Sequence, residues 1–343
     1  MSRIKFYDST RNYKKYKPEF DTAITKIAES GLFFEHPCIK ELERQLTDYV
    51  GSQCILVNSP LYIALLALGI GGPDDEVITA AFGSIDAVEV ILRVGAKVIL
   101  VDIDKDTYGI DPVSKITPKT RAVIMTDLFG ALAIAKTCNI PVIHDFSHSF
   151  GSTTPHGVIS CVSFTTSPLD AWGNIGACFT KDQTLANKIR AIAHHGSSIR
   201  NFHEYIGTDG RVDAIQAAVL LVKLKYFDEQ KAKRLEITEL YTKKMAASVI
   251  KLPSLNRLLY VYPIRVKNRE KLLEYFNERG IELNVFYKKP LSHQPILIRC
   301  GFRPGEFPMA EKISNELLCL PCYPELEEWE TRSIIHGLLN LTG

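Results

Sequence analysis

Three stretches of the sequence carry side chains that could do chemistry. IPVIHDFSHSFGS ends an apolar run on Asp145 and follows it with His148, an imidazole whose reference pKa near neutrality suits a base. VILVDID ends a second apolar run in acidic residues able to hold a ribose. His194 and His195 stand together before a Gly-Ser-Ser turn. Each has a plainer reading. An Asp closing a strand caps the next turn through its own side chain, and a lone His is more often a satisfied structural residue. Neighbouring helix positions face different ways, so His194 and His195 make poor joint metal ligands, and no metal is expected. The acidic strand is not preceded by GxGxxG, so a dinucleotide site fails at its first requirement. No P-loop and no GxSxG elbow occur either. The one CxxC, Cys319 to Cys322, has no second pair at zinc spacing and reads as structural.

The elements that must position these residues are legible from periodicity. Short apolar runs alternate with helical segments from residue 51 to about 180: CILV, EVITAAF, KVILVDI, AVIMTDL, IPVIHDF, CVSFTT and ACFT. Such alternation implies parallel strands joined by right-handed crossovers, hence a large doubly wound α/β sheet with its active site at the strands' carboxyl ends. Pro18 to Tyr49 reads as largely helical and is stopped by Gly51. Residues 212–248 read as one long helical stretch without Pro or Gly, crossing into a small C-terminal α+β domain. The expected division is 1–225 and 226–343.

The whole chain is balanced in charge, with 41 basic and 39 acidic residues among 343. No basic block marks a nucleic-acid or anionic-lipid footprint. The longest apolar run, Leu61 to Ile70, is about half a membrane span, and a cytoplasmic protein with small-molecule or protein partners is expected.

Several motifs in order along the chain carry a family resemblance. ESGLFFEHPCIKELERQLTDYVG, ALLALGIGGPDDEVI, GAKVILVDIDKDTYGID, IPVIHDFSHSFGS, HHGSS, GTDGRVDAIQAAV, FYKKPLSHQP, FRPGEFPMAEKIS and LCLPCYPEL resemble the DegT/StrS group of nucleotide-sugar aminotransferases. The resemblance implies the fold of the fold-type-I pyridoxal 5'-phosphate enzymes. It also implies a homodimer with active sites at the subunit interface, and a nucleotide-linked keto-sugar substrate made for bacterial surface glycans or antibiotics.

Such an enzyme needs a lysine for the imine, an acid at the pyridine nitrogen, a ring-stacking side chain and phosphate donors. By resemblance Asp145 is the pyridinium partner and Ser163 a phosphate contact, while His148 takes a usual Gln position. The lysine position, however, falls on Pro168, with Ser167 and Leu169 beside it; the next lysine, Lys181, lies beyond the following strand. The family's SSGTAAL phosphate cradle reads Asn58-Ser59-Pro60-Leu61-Tyr62-Ile63-Ala64 here, and Pro60 lacks an N–H. The stacking aromatic aligns with Ser84, with Phe82 two residues earlier as a partial substitute. The Asn that reaches the neighbour's phosphate aligns with Asp209. Two like charges at about 4 Å repel by roughly 1 kcal/mol in water and roughly 4 at an effective dielectric of about 20, so Asp209 would oppose a phosphate. Arg200, Arg211 and His293 lie in segments that line the substrate side in the family.

These departures lead to the expectation of a family member unable to transaminate, with no covalently held cofactor, acting as a non-catalytic or sugar-binding homologue. A divergent active aminotransferase or dehydratase, and a heterodimer partner of an active paralogue, are the alternatives. Leu61, Tyr62 or Trp172 is expected to refill the cofactor space.

Overall fold

The computed structural model describes residues 3–133, 139–199, 201–245, 250–251 and 258–342. Its centre is a seven-stranded sheet. The strands are β1 (Gln53–Val57), β2 (Glu76–Ala80), β3 (Lys97–Val101), β4 (Thr120–Thr126), β5 (Val142–Asp145), β6 (Ile159–Ser163) and β7 (Gly176–Thr180), in spatial order β1-β7-β6-β5-β4-β2-β3. All seven apolar runs are therefore strands. Five of them pair in parallel, but β7 is antiparallel to both β1 and β6. The Phe164 to Ile175 connection between β6 and β7 forms a short 3-10 turn and a loop, with no crossover helix to bring the chain back in parallel.

Most residues of these strands are buried, with Lys97 and Arg121 as the exposed exceptions, as a sheet covered on both faces requires. Helices α1 (Ser9–Lys15), α2 (Lys17–Ser30) and α3 (Pro37–Val50) precede the sheet. The apolar stripe of α3, Leu42 and Leu46, packs with Phe146, Phe150, Phe164 and Phe179 on one face. On the other face α4 (Pro60–Ala67), α5 (Asp86–Arg93) and α6 (Gln183–Ala193) bury Ile63, Leu65, Val88, Ile91 and Ile189. A short hairpin of β8 (Ser197–Ile199) and β9 (Phe202–His203) follows α6.

The expected long helix over 212–248 is two helices, α7 (Ala214–Lys225) and α8 (Phe227–Lys244). Tyr226 separates them because its side chain is held elsewhere: it stacks on Tyr16 with centroids 3.9 Å apart and donates its hydroxyl to Glu19. Beyond α8, β10 (Ile250–Lys251), β11 (Tyr262–Arg265) and β12 (Leu317–Leu320) form a small antiparallel sheet with β11 in the middle. Helices α9 (Arg269–Glu278) and α12 (Glu328–Thr342) join α8 in packing Tyr241, Tyr262, Phe276, Leu318 and Ile334 into a second core. Ile4 belongs to that core and bridges to Ile281, so the start of the chain rests on its end. Helices α10 (Pro295–Arg299) and α11 (Pro308–Glu316) instead place Leu297, Ala310 and Ile313 in the core of the large sheet. The acids of VILVDID have a structural role: Asp102 accepts from the Met309 and Ala310 N–H groups at 2.9 and 2.8 Å, capping α11.

Candidate functional site

Where β4, β5 and β6 end, a cavity of about 240 Å³ opens, lined by Ser59, Pro60, Leu61, Ser84, Thr126, Asp145, His148 and Ser163 among others. It lies at the strands' carboxyl ends, where open α/β sheets hold ligands.

Asp145 is the last residue of β5 and is fixed from two sides. One carboxylate oxygen accepts from the Ser147 N–H at 3.1 Å and hydroxyl at 2.5 Å, so the turn-capping reading holds. The other lies 3.4 Å from the Thr126 hydroxyl. Ser147 is locked in turn by the Ser163 N–H, which donates to its hydroxyl oxygen at 2.9 Å. Burial nonetheless raises the Asp145 carboxyl above its ordinary value, against the lowering effect of Ser147, and the nearby Asp86 charge adds to the rise. An anion this poorly compensated favours a cation or an N–H beside it.

His148 faces the same space in one tautomer. The Phe129 N–H donates to its Nδ1 at 3.2 Å, so the proton of the neutral ring sits on Nε2. Phe129 is held for this at a left-handed φ of 53°, and Tyr260 stacks on the imidazole with centroids 6.0 Å apart. Burial pushes the His148 pKa down to about 4. His148, a possible base from sequence, is neutral at physiological pH, with its basic Nδ1 already taken by the Phe129 N–H and Nε2–H left as a donor. Its folded pKa lies below the unfolded one, so the unfolded chain binds more protons between roughly pH 4 and 6.5, and stability rises with pH across that window. His148→Gln should flatten this acid limb in thermal melts between pH 4.5 and 7.5, with little change above pH 7.

The other end of the cavity is the start of α4. Ser59 enters it at φ 51° with no side-chain capping bond, and Pro60 is the first helical residue. Gly176 permits this approach: a Cβ there would come within 2.4 Å of the Val162 carbonyl and 3.0 Å of the Pro60 ring. Leu61 and Tyr62 lie in the first turn, whose N–H groups have no intrahelical partner.

The 167–169 segment, which the resemblance aligns with the family's lysine, turns away from the cavity. Ser167, Pro168 and Leu169 are buried and none lines it. The Arg234 guanidinium, itself buried, reaches the Pro168 carbonyl at 3.5 Å and also donates to the carbonyls of Tyr260 and Cys322. Asp170, at φ 56°, receives the Lys223 ammonium at 2.8 Å in a buried pair beneath Trp172. Burial lowers the Lys223 pKa and Asp170 opposes that fall. No lysine is among the residues lining the cavity.

Other expectations need correction. Trp172 does not fill the cofactor space; it lies against Phe20 at 4.3 Å and Tyr13 at 5.7 Å, and Tyr62 carries the Arg93 guanidinium on its ring, so the cavity stays open with only Leu61 at its wall. Phe82 does not stand in for a stacking ring, being buried against Tyr108 and Tyr287. Tyr287 itself lines the cavity, as do Asp86, Glu89, Arg93 and Asn174. Sequence reasoning missed these because they arrive from α5 and from distant loops. The Glu89–Arg93 spacing on one helix face was the available signal.

Asp209 pairs with Arg211 at 2.9 Å, and this lowers its carboxyl rather than leaving a free charge to repel a phosphate. Its turn is strapped to the end of β1, where Asn58 donates to the carbonyls of Gly210 and Asp209. Within one chain neither residue lines the cavity; nor does His293, which lies 3.2 Å from Glu311. Arg200 falls outside the described residues. Among the described residues no group of three or more acidic, His or Cys side chains is placed to hold a metal, and no helix is long and apolar enough to cross a membrane.

A mixed seven-stranded sheet in this order, with an acid ending β5 beneath an open cavity, defines the α/β fold of the fold-type-I pyridoxal-phosphate aminotransferases. The chain belongs to the DegT/DnrJ/EryC1/StrS aminotransferase family, whose sequence profile matches residues 14–339. It is 34% identical to the UDP-2-acetamido-2-deoxy-3-oxo-D-glucuronate aminotransferase of Pseudomonas aeruginosa, over 98% of this chain and 100% of that one. It is 32% identical to a pleiotropic regulatory protein of Geobacillus stearothermophilus, over 98% of this chain and 97% of the relative. Among solved structures it superposes on Streptomyces venezuelae DesV, described in complex with a ketimine intermediate, with a TM-score of 0.92 and 25% identity, covering 100% and 99% of the two chains.

Proposed function

We propose that this chain keeps the family's cavity as a binding site for a phosphorylated vitamin B6 and a nucleotide-linked sugar, and has given up lysine-dependent transamination. The observation that carries the reading is the lysine position: Pro168 is buried behind the cavity, with Arg234 on its carbonyl, and no lysine lines the space. The remaining residues fit the cofactor without a covalent bond. Asp145 suits a ring nitrogen that carries a proton, the Nε2–H of His148 suits a ring oxygen, and Ser59 and Ser163 offer polar groups along the wall. When bound, such a cofactor supplies an electron sink for chemistry at carbon. The residues of this chain would hold and orient it, and His148, neutral near pH 7, would donate a hydrogen bond without taking a proton.

Sugar specificity follows by analogy with the nucleotide-sugar relatives, and a cytoplasmic setting with it. A dimer is part of the proposal. Ile199, Phe202 and Ile206 at the β8–β9 hairpin, together with Leu32 to Phe34, leave an apolar surface exposed that suits a second subunit, either a copy of this chain or an active paralogue.

The purified chain, supplied with pyridoxal 5'-phosphate, glutamate and a UDP-linked 3-keto-sugar, is expected to form no amino-sugar while still binding the sugar nucleotide by titration. Multiple turnovers by the chain alone would support the divergent-enzyme alternative. Turnover appearing only on mixing with a lysine-containing paralogue would support the heterodimer one.

A further inference from the structure

The cavity has an imbalance of charge that the proposed ligand must meet. Three of its lining residues are carboxylates, Asp86, Glu89 and Asp145, and its one lining cation among the described residues is Arg93. A phosphate group brought against three carboxylates needs a counter-charge, and the ordinary cradle is weakened because Pro60 has no N–H to give. Arg93 ends α5 and lies with its guanidinium carbon 4.3 Å from the centre of the Tyr62 ring, in the first turn of α4. Stacking uses the flat face of the guanidinium and leaves its edge of N–H donors free. Its contact is the Tyr62 ring, and no ion pair to a carboxylate is formed among the described residues, although Glu89 lies one helical turn earlier on the same cavity wall. Arg211 and Arg234 do not line the cavity and are already engaged, Arg211 with Asp209 and Arg234 with backbone carbonyls.

We propose that Arg93 is the phosphate anchor of this cavity, a binding residue that replaces the N–H lost at Pro60 and supplies the positive charge that the three carboxylates demand. The proposal rests on the reading of the cavity as a site for phosphorylated ligands. The phosphate belongs either to a vitamin B6 monoester or to the diphosphate of a sugar nucleotide. The alternative role for Arg93 is structural, a cation at the carboxyl end of α5 complementing the helix dipole and packing on Tyr62. A merely structural role would not distinguish a phosphorylated ligand from its unphosphorylated form.

The test is a titration of the full chain, wild type, Arg93→Gln and Arg93→Lys, with pyridoxamine 5'-phosphate, pyridoxamine and UDP, followed by calorimetry, with a thermal melt of each variant. A charge-assisted bond to phosphate is expected to be worth roughly tenfold to a hundredfold in affinity. The expected result is that Arg93→Gln weakens pyridoxamine 5'-phosphate by that factor, leaves pyridoxamine unchanged, and is partly rescued by Arg93→Lys. If the wild type binds UDP but not the B6 monoester, and Arg93→Gln loses UDP, the anchor stands and its ligand is the nucleotide, while the cofactor part of the functional reading fails. If Arg93→Gln matches the wild type for whichever ligand binds, the anchor is overturned and the functional reading survives. If the wild type binds neither, both are overturned.

Discussion

Lys223→Met should cost this protein on the order of 3–5 kcal/mol, because it removes one partner of a buried ion pair and strands the other. The Lys223 ammonium and the Asp170 carboxylate meet at 2.8 Å with side chains 2% and 12% exposed, too dry for the survivor to be resolvated without moving the loop. The loop cannot easily move. Arg234 holds the Pro168 carbonyl, the Ala171 N–H donates to the Phe164 carbonyl at 2.8 Å, and Trp172 is wedged against α2. A melting temperature lower by about 10 °C is the expected reading for a cost of this size. The double variant Lys223→Met with Asp170→Asn should recover most of the loss, since asparagine tolerates the left-handed backbone of residue 170 and leaves no charge behind. Equal melting temperatures for the single and double variants would show that the pair is not what fixes this segment.

Asp145→Asn should have effects of opposite sign on stability and on binding. Burial raises the Asp145 carboxyl in the folded state, so its ionisation opposes folding above the folded pKa, and this penalty vanishes as the group protonates in acid. Asparagine keeps an oxygen for the Ser147 N–H and hydroxyl and carries no charge, so the variant should melt at or above the wild type at pH 7.5, with the difference closing toward pH 4. The same change removes the anion that would face a protonated ring nitrogen. Affinity for pyridoxamine 5'-phosphate should fall roughly tenfold to a hundredfold. A variant that melts lower and binds equally well would mean that Asp145 is a turn cap and nothing more.

Much of the architecture could be read from spacing, because a buried strand shows as a short apolar run and an amphipathic helix as a 3.6-residue stripe. CILV, EVITA and VIHD are strands for that reason, and the Leu42–Leu46 stripe faces the core of α3. The antiparallel sense of β7 was hidden, since direction is set by the connection and not by the run itself. Tyr226 broke an otherwise uninterrupted helical pattern through contacts with Tyr16 and Glu19, more than 200 positions away in sequence.

The site was legible where residues are consecutive. Asp145, Ser147 and His148 share one turn, and Ser59 and Pro60 share another. It was illegible where the answer depends on which face a side chain takes. Asp209 reads as a repulsive charge until Arg211 is seen to neutralise it, and Trp172 reads as a plug until Phe20 and Tyr13 are seen to hold it. Whether His148 has a nitrogen free to act as a base depends on the Phe129 N–H that occupies its Nδ1, a contact that the sequence does not show. Arg93 carries no motif, Tyr287 is one residue of the FYKKPLSHQP stretch with nothing to single it out, and only the fold brings them to the cavity.

If any lysine of this chain meets the cofactor, the first candidate is Lys223, a buried amine with a lowered pKa paired with Asp170 next to the Pro168 segment. Reduction with borohydride after incubation with one equivalent of pyridoxal 5'-phosphate, followed by peptide mapping by mass spectrometry, decides whether one does. Only scattered, substoichiometric labelling of exposed lysines is expected, and none on the peptide bearing Lys223. One pyridoxyl group per chain on a single lysine, with the matching absorbance band before reduction, would show that this chain holds the cofactor covalently after all.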